Sequence, residues 1–465
     1  MSAPALWIAV PLAVGAVAWL LLTERAAALA GGLTCMFLAL VALIVPIDTA
    51  LQLGPVSIKI AATASLLGRS LVLSGSEAPL LVMLFGISAA WFFCAEVAGV
   101  ARRLVPGGLV VAGLLVASLA VEPFLYAALL IEMAALAAIP LLVPEGTVPG
   151  RSAIKFLTYQ TLGMPCILLA GWLLEGVETS PGDLALTVQA TVTLSVGFAF
   201  LLAIVPLHDW IPGMMAESHP YITGFLLWLM PTVIVIFGLS FLDRYAWLRT
   251  SAQIISGLRI LGLIMLVASG VGAALERNLG RMMGHAVAAE TGLLILAASL
   301  TAAGGADTIF PFFIPRGLGL LVWAVALSIL HRSRLGTDIE SLKQFTQAHP
   351  WASSGLLLAA LSSAGFPLLA GFPPRIDVWA GLSEVSRDAS LWYLLGLSGL
   401  MVGAIRQLNF VAGSRHEKAA RPTESFLERG AMAAGMAVLV LLGLFPRAIA
   451  FLVVRLPLMF EHLAR

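Results

Sequence analysis

The sequence predicts an all-α membrane protein of about fourteen transmembrane helices, with the seventh and twelfth broken. Three observations carry that prediction. Apolar residues make up 60% of the 465 residues and charged residues 11%, against roughly 45–50% and 25% in soluble domains. Apolar runs near the ~20 residues that cross a bilayer recur from end to end, and the mean hydropathy is +1.00. Two of the runs gather several prolines and ionisable residues at mid-length.

Taken in order, the spans fall near 4–22, 27–46, 78–100, 106–121, 124–143, 154–174, 187–207, 221–242, 253–274, 281–301, 309–330, 354–371 continuing past 375, 390–411 and 430–453. The N-terminus lacks a basic stretch and a small-residue cleavage site, so the first segment reads as a retained span. Between the second and third spans, VSIKIAATASLLGRSLVLSGS alternates β-branched and small polar residues, the pattern of an extracytoplasmic hairpin. After the last span, AFLVVRLPLMFEHLAR spaces its charges as a segment lying along the interface does. Loops after odd-numbered spans hold 15 Lys and Arg, including Arg102, Arg103, Arg277, Arg332, Arg415, Lys418 and Arg421, and loops after even-numbered spans hold five. The positive-inside rule then places the odd loops in the cytoplasm. With an even span count, both termini lie on the extracytoplasmic side of what reads as a bacterial inner membrane.

Composition also excludes function classes. The net charge of +1 gives no sign of a nucleic-acid partner. Cys35, Cys94 and Cys166 stand far apart in apolar segments and read as small buried hydrophobes, not disulfides or metal ligands. There is no phosphate-binding glycine loop, no Ser–His–Asp arrangement and no haem or Fe–S ligand set. Any redox chemistry therefore belongs to partners.

The two broken spans are the informative segments. SVGFAFLLAIVPLHDWIPGMMAESHPYITG contains Pro206, His208, Asp209, Pro212, Glu217, His219 and Pro220. LLLAALSSAGFPLLAGFPPRIDVWAG contains Pro367, Pro373, Pro374, Arg375 and Asp377. Proline frees backbone carbonyls, tolerable at membrane depth only where protein or water satisfies them. The bland reading of each is a packing kink. Breaks in the seventh and twelfth spans, five apart, point instead to inverted repeats with an ion site at each break.

These segments resemble the antiporter-like membrane subunits shared by respiratory complex I (NADH–quinone oxidoreductase), membrane-bound hydrogenases and Mrp-type cation/proton antiporters. GFAFLLAIVPLHDWIPGMMAESHP is similar to the family's GFAFK-x-AxxPxHxWLPDAxEGAP, and LSSAGFPLLAGFPPRIDVW to its S-x-AGxPPLAGFxxK. RNLGRMMGHAVAAETG, LLIEMAALAAIPLL and FFIPRGLGLLVWAVALSIL resemble further motifs, in the family's order and spacing. The resemblance covers roughly residues 60 to 410. It implies fourteen helices with two inverted five-helix repeats. The corresponding organisation is helices 1–3 with the hairpin (1–105), helices 4–8 (106–245), helices 9–13 (246–412), then helix 14 and its interfacial tail (413–465).

The family's chemistry is a midplane chain of ionisable groups in which a glutamate pairs with a lysine, whose charge burial and neighbours can switch. Glu132 falls at the glutamate of the fifth helix; its bland reading is a hydrogen-bonded packing residue. Leu201 stands where the paired lysine belongs, and Met230 and Pro231 stand near the place of the eighth-helix lysine. The first half is thus predicted to lack the family's switch. Arg316 and Arg375 replace the eleventh- and twelfth-helix lysines, and a guanidinium, which is not deprotonated in proteins, fixes a carboxylate or blocks cations more readily than it relays protons. Asp377 is placed to accept from Arg375 if the helix is irregular. His208 matches the family histidine and titrates near neutrality, or is a loop histidine beside Trp210. Glu217 matches the family acid, and His219 adds a titratable group or a loop contact. Asp209 reads as a helix cap. Glu290 lies five residues from His285, off its helical face, where the family often has a path-facing polar residue. Arg259 is expected to pair with a buried acid. Gly399 and Gly403 form a GxxxG.

Three functions follow. The chain is a proton- or sodium-translocating subunit beside other membrane subunits of its family and a soluble redox arm. Alternatively it is the membrane part of an inorganic-carbon uptake system with a carbonic-anhydrase-like partner, or a non-pumping scaffold. In each, the chain itself binds no cofactor and no metal, and quinone, flavin or Fe–S belong to partner subunits.

Overall fold

The structure is a computed structural model and describes all residues except 1, 22, 54–55, 67, 144–145, 181, 301–307, 414–421 and 464–465. Arg415, Lys418 and Arg421, counted in the charge asymmetry, lie outside the described residues. Among those described, twelve helices are long and apolar enough to cross a membrane.

A π-helical turn, Ala5–Ala9, leads into α1 (Val10–Leu21), followed by α2 (Glu24–Ile44). Two hairpins form where one is expected: β1 (Ala50–Leu53), ahead of the stretch read as a hairpin, pairs with β2 (Val56–Lys59), and β3 (Thr63–Leu66) pairs with β4 (Arg69–Val72). The alternating pattern runs from β2 through β4, so it did not show where the chain doubles back. Gly68, at φ +76°, helps turn β3 into β4, a conformation that costs glycine little. Then come α3 (Ala78–Ala98), α4 (Ala101–Ala120), a short β5 (Val121–Glu122) on β4, and α5 (Ala127–Leu142). Helices α6 (Arg151–Thr179) and α7 (Leu184–Leu201) precede the first break. Beyond it lie α8 (Trp210–Glu217) and α9 (Pro220–Arg244).

The remainder comprises α10 (Ala246–Thr250), α11 (Ala252–Leu275), α12 (Leu279–Ser299), α13 (Phe313–Ser333) and α14 (Leu342–Ala348). The broken twelfth span is α15 (Pro350–Ser363) and α16 (Phe372–Val385), followed by α17 (Arg387–Gly413), α18 (Phe426–Leu444) and α19 (Ala450–Val453).

The chain forms two compact units. One comprises Met1–Phe93, Arg102–Trp210 and Leu229–Gly238; the other comprises Cys94–Ala101, Ile211–Trp228 and Leu239–Arg465. Within the second, α13 is interior, with 94% of its most apolar stretch buried, whereas α18 buries 11%. A charge on α13 must therefore find its partners inside the protein. Helices α11, α12 and α17 approach through glycines. A Cβ on Gly399 would lie 2.4 Å from the Gly270 carbonyl carbon, and one on Gly403 3.0 Å from the Ala273 oxygen. The GxxxG read in the sequence is thus a close helix crossing.

The two breaks share one construction. At the end of α7, Ile204 N–H donates to Ala199 O (2.9 Å) and Ala203 N–H to Phe200 O (3.3 Å); at the end of α15, Phe366 donates to Leu361 O (2.9 Å) and Gly365 to Ser362 O (3.0 Å). This is the Schellman pattern, which closes a helix through a left-handed residue. That residue is Ala203 at φ 52° in one and Gly365 at φ 78° in the other. Pro206 and Pro367 fall in the breaks themselves. Pro212, Pro373 and Pro374 do not: they occupy first turns of α8 and α16, where the missing N–H has no helical partner to lose. They restart helices and do not break them.

Candidate functional site

In the second unit the prolines of α16 deliver Arg375 to the interior. Phe372 opens the helix, so Arg375 lies in its first turn. Ser362 Oγ accepts the Gly371 N–H (3.1 Å), and Gly371 O in turn accepts Arg375 Nη1 (2.8 Å). A Cβ on Gly371 would fall 2.0 Å from Ser362 O and 2.6 Å from Arg375 Nη1, so the loop admits the guanidinium only with glycine there. Tyr393 donates its hydroxyl to Arg375 O (2.8 Å) and fixes the same turn.

Arg375 Nη2 donates to Glu290 Oε1 on α12 at 3.2 Å. From the other side Arg316, in the first turn of α13, brings Nε to 3.6 Å from Glu290 Oε2. All three are buried, at 3–4% exposure. Arg316 Nη2 also donates to Thr291 Oγ1 (3.2 Å) and to Leu227 O (3.0 Å). Leu227 O is available for a specific reason. It is the carbonyl four residues before Pro231, whose ring nitrogen cannot donate back to it. Pro231, conspicuous in the sequence only for replacing a lysine, thus exposes an acceptor for the arginine.

The cluster is one carboxylate between two permanent cations, each in a helical first turn where the backbone dipole is itself positive. Fixed between the two guanidiniums, Glu290 completes a buried three-residue cluster. Asp377 is not part of it. Helix α16 is regular there, Asp377 is exposed and Arg375 turns to Glu290. Arg259 also departs from expectation: among the described residues it forms no ion pair, and its Nε is buried without a hydrogen-bond partner. His285 packs on Gly272 of α11, away from Glu290.

In the first unit, Glu132 is buried on α5, and Thr161 on α6 donates its hydroxyl to Glu132 Oε1 (2.7 Å). The adjacent Gln160 donates its amide to Leu201 O (3.0 Å) at the end of α7. Two neighbouring side chains of α6 thus reach both the acid and the break. Leu201 itself fills the space over Gly163, where a Cβ would lie 2.6 Å from its Cδ2. Neither Gln160 nor Thr161 was singled out in the sequence, because uncharged polar residues in an apolar helix carry no ionic signal. Among the described residues, the hydrogen-bond partner of Glu132 is the Thr161 hydroxyl.

His208 lies half-buried in a single 3-10 turn, Leu207–Asp209, with Nδ1 buried and unpartnered. Asp209 pairs with Lys155, both exposed. Glu217 ends α8 and is exposed. His219 caps α9, its Nδ1 accepting the Tyr221 N–H at 3.3 Å. Among the described residues no three His, Cys, Asp or Glu are grouped to hold a metal.

Broken helices, a buried acid on α5 and a buried charge cluster are the features of an antiporter-like membrane subunit. Residues 151–401 match the family described as NADH:quinone oxidoreductase/Mrp antiporter, TM, and the chain belongs to that family. It is 27% identical over 274 residues to NADH-quinone oxidoreductase subunit N of Cereibacter sphaeroides, covering 58% of this chain and 59% of that one. It is 21% identical over 313 residues to the protein of the same name from Cytophaga hutchinsonii, covering 64% and 67%. The first of these matches thus spans less than two thirds of the relative's length. A chain of respiratory complex I from Thermus thermophilus superposes with a TM-score of 0.79 at 20% identity, over 99% of this chain and 100% of that one. A chain of the Mrp complex from Dietzia sp. superposes at 0.74 and 15% identity, over 97% and 96%. At these identities the superpositions speak to fold.

Proposed function

We propose that the chain is an ion-translocating subunit of a multi-subunit, complex I-like assembly, working by a path in which the usual lysines are absent. Helices 4–8 (106–245) and 9–13 (246–412) act as inverted repeats, after helices 1–3 (1–105) and before the final helix and tail (413–465). The chain sits in a bacterial inner membrane with both termini outside, beside related membrane subunits and a redox arm that holds the flavin, Fe–S and quinone chemistry. The observation that carries this reading is the pair of helix breaks built on one hydrogen-bond pattern, each beside buried ionisable groups. Paired discontinuous helices are where transporters place ions.

In this path Glu132 is the proton-exchanging group, with His208, Glu217 and Asp377 toward the aqueous mouths. The Glu290, Arg316 and Arg375 cluster is a fixed element that sets the field and excludes cations. The purified assembly, reconstituted in liposomes, tests the reading by substrate-driven proton uptake. Glu132→Gln is expected to reduce uptake about a hundredfold or more, the usual loss when an acid–base group is removed. Uptake equal to that of the parent would remove Glu132 as a carrier and favour a scaffold.

A further inference from the structure

A cavity of about 820 Å³ opens in the first unit among α1, α4 and α5. Its size is that of sites for drug-sized and lipid-like ligands. Its walls are small or apolar: Ala16 and the exposed Trp19 from α1, Val110 from α4, and Ala137 and Leu141 from α5. Two close helix approaches frame it. A Cβ on Gly15 would meet Pro106 O at 2.7 Å, and one on Gly107 would meet Leu141 Cδ2 at 2.5 Å. One end is charged, where Arg102 and Arg103 stand at the start of α4 with Glu24 beside them. Glu24 Oε2 accepts the Arg102 backbone N–H (3.0 Å). This is the end that the Lys and Arg asymmetry assigns to the cytoplasm, where the bilayer leaflet is anionic.

An apolar trench closed at one end by a basic pair matches one class of molecule. We propose that this trench is a binding site for an anionic diacyl phospholipid, its phosphate on Arg102 and Arg103 and an acyl chain along α1, α4 and α5. Basic pockets between transmembrane helices recognise lipid headgroups in this way. The lipid would seal the flank of α5, five residues from Glu132.

The test is native mass spectrometry of the purified assembly from nanodiscs of phosphatidylglycerol or of phosphatidylcholine. The expected result is a tightly retained phosphatidylglycerol, with phosphatidylcholine lost. In Arg102→Ala/Arg103→Ala retention falls about tenfold or more, as the loss of two cations near an anionic leaflet implies. Ala16→Phe/Ala137→Phe, which fills the trench and leaves both arginines, also loses the lipid, and it carries the test if the first variant does not assemble. Inorganic phosphate at millimolar concentration leaves retention unchanged. Equal retention of the neutral lipid, full retention by both variants, or displacement by inorganic phosphate would overturn the proposal. So would a photo-crosslinker at position 137 that captures a partner subunit's helix and no lipid.

Discussion

Glu290 is the residue on which the second unit's interior depends. It is the acid between two guanidiniums that, among the described residues, pair with no other carboxylate, and removing it leaves both charges in the core of the unit. Breaking a buried ion pair by deleting one partner costs about 3–5 kcal/mol, far more than the intact pair contributes. Glu290→Gln is therefore expected to lower unfolding stability in detergent by at least that amount. Adding Arg375→Gln should recover part of it, since one uncompensated charge is removed. Additive losses in the double variant would show that the two residues do not couple. Much of this site was legible: Glu290, Arg316 and Arg375 each stood out as an ionisable group in an apolar run. Their convergence was not. Arg375 was read with Asp377, two positions away, because sequence proximity is visible and a contact across 85 residues is not. Thr291 and the carbonyl freed by Pro231 left no charge in the sequence to notice.

At the scale of the element, the helix breaks show what proline does and does not tell. The prolines located both breaks, yet Pro212, Pro373 and Pro374 mark restarts. The terminations come from backbone geometry at Ala203 and Gly365, which the sequence signals only where the residue is glycine. Of the pair, Gly365 is the constrained position. It sits at φ 78°, and an added Cβ would lie 2.8 Å from Arg375 Cδ. Gly365→Ala should cost about 1–2 kcal/mol from the left-handed backbone alone and should displace Arg375, so thermal unfolding and ion uptake fall together. Ala203→Gly, which relaxes the matching position, should change stability by no more than about 1 kcal/mol in either direction. A Gly365→Ala protein as stable as the parent would mean that the second break is not held as described. The β-segment teaches the same lesson: alternation announced strands, while the turn dividing them into two hairpins left no separate mark.

For the molecule as a whole, the fold was readable because a bilayer leaves few alternatives: apolar runs of spanning length must be helices. Family motifs in order supplied the rest, and the match over residues 151–401 agrees with them. What the chain does with that fold turns on the company it keeps, since what its described residues hold is a buried acid and a buried charge cluster. The account therefore stands or falls on assembly. The measurement is affinity purification of the tagged chain in mild detergent, with mass spectrometry of everything retained. Related membrane subunits together with flavin- or Fe–S-bearing subunits are the predicted result. A chain recovered alone, or with a single zinc-enzyme-like partner, would contradict it.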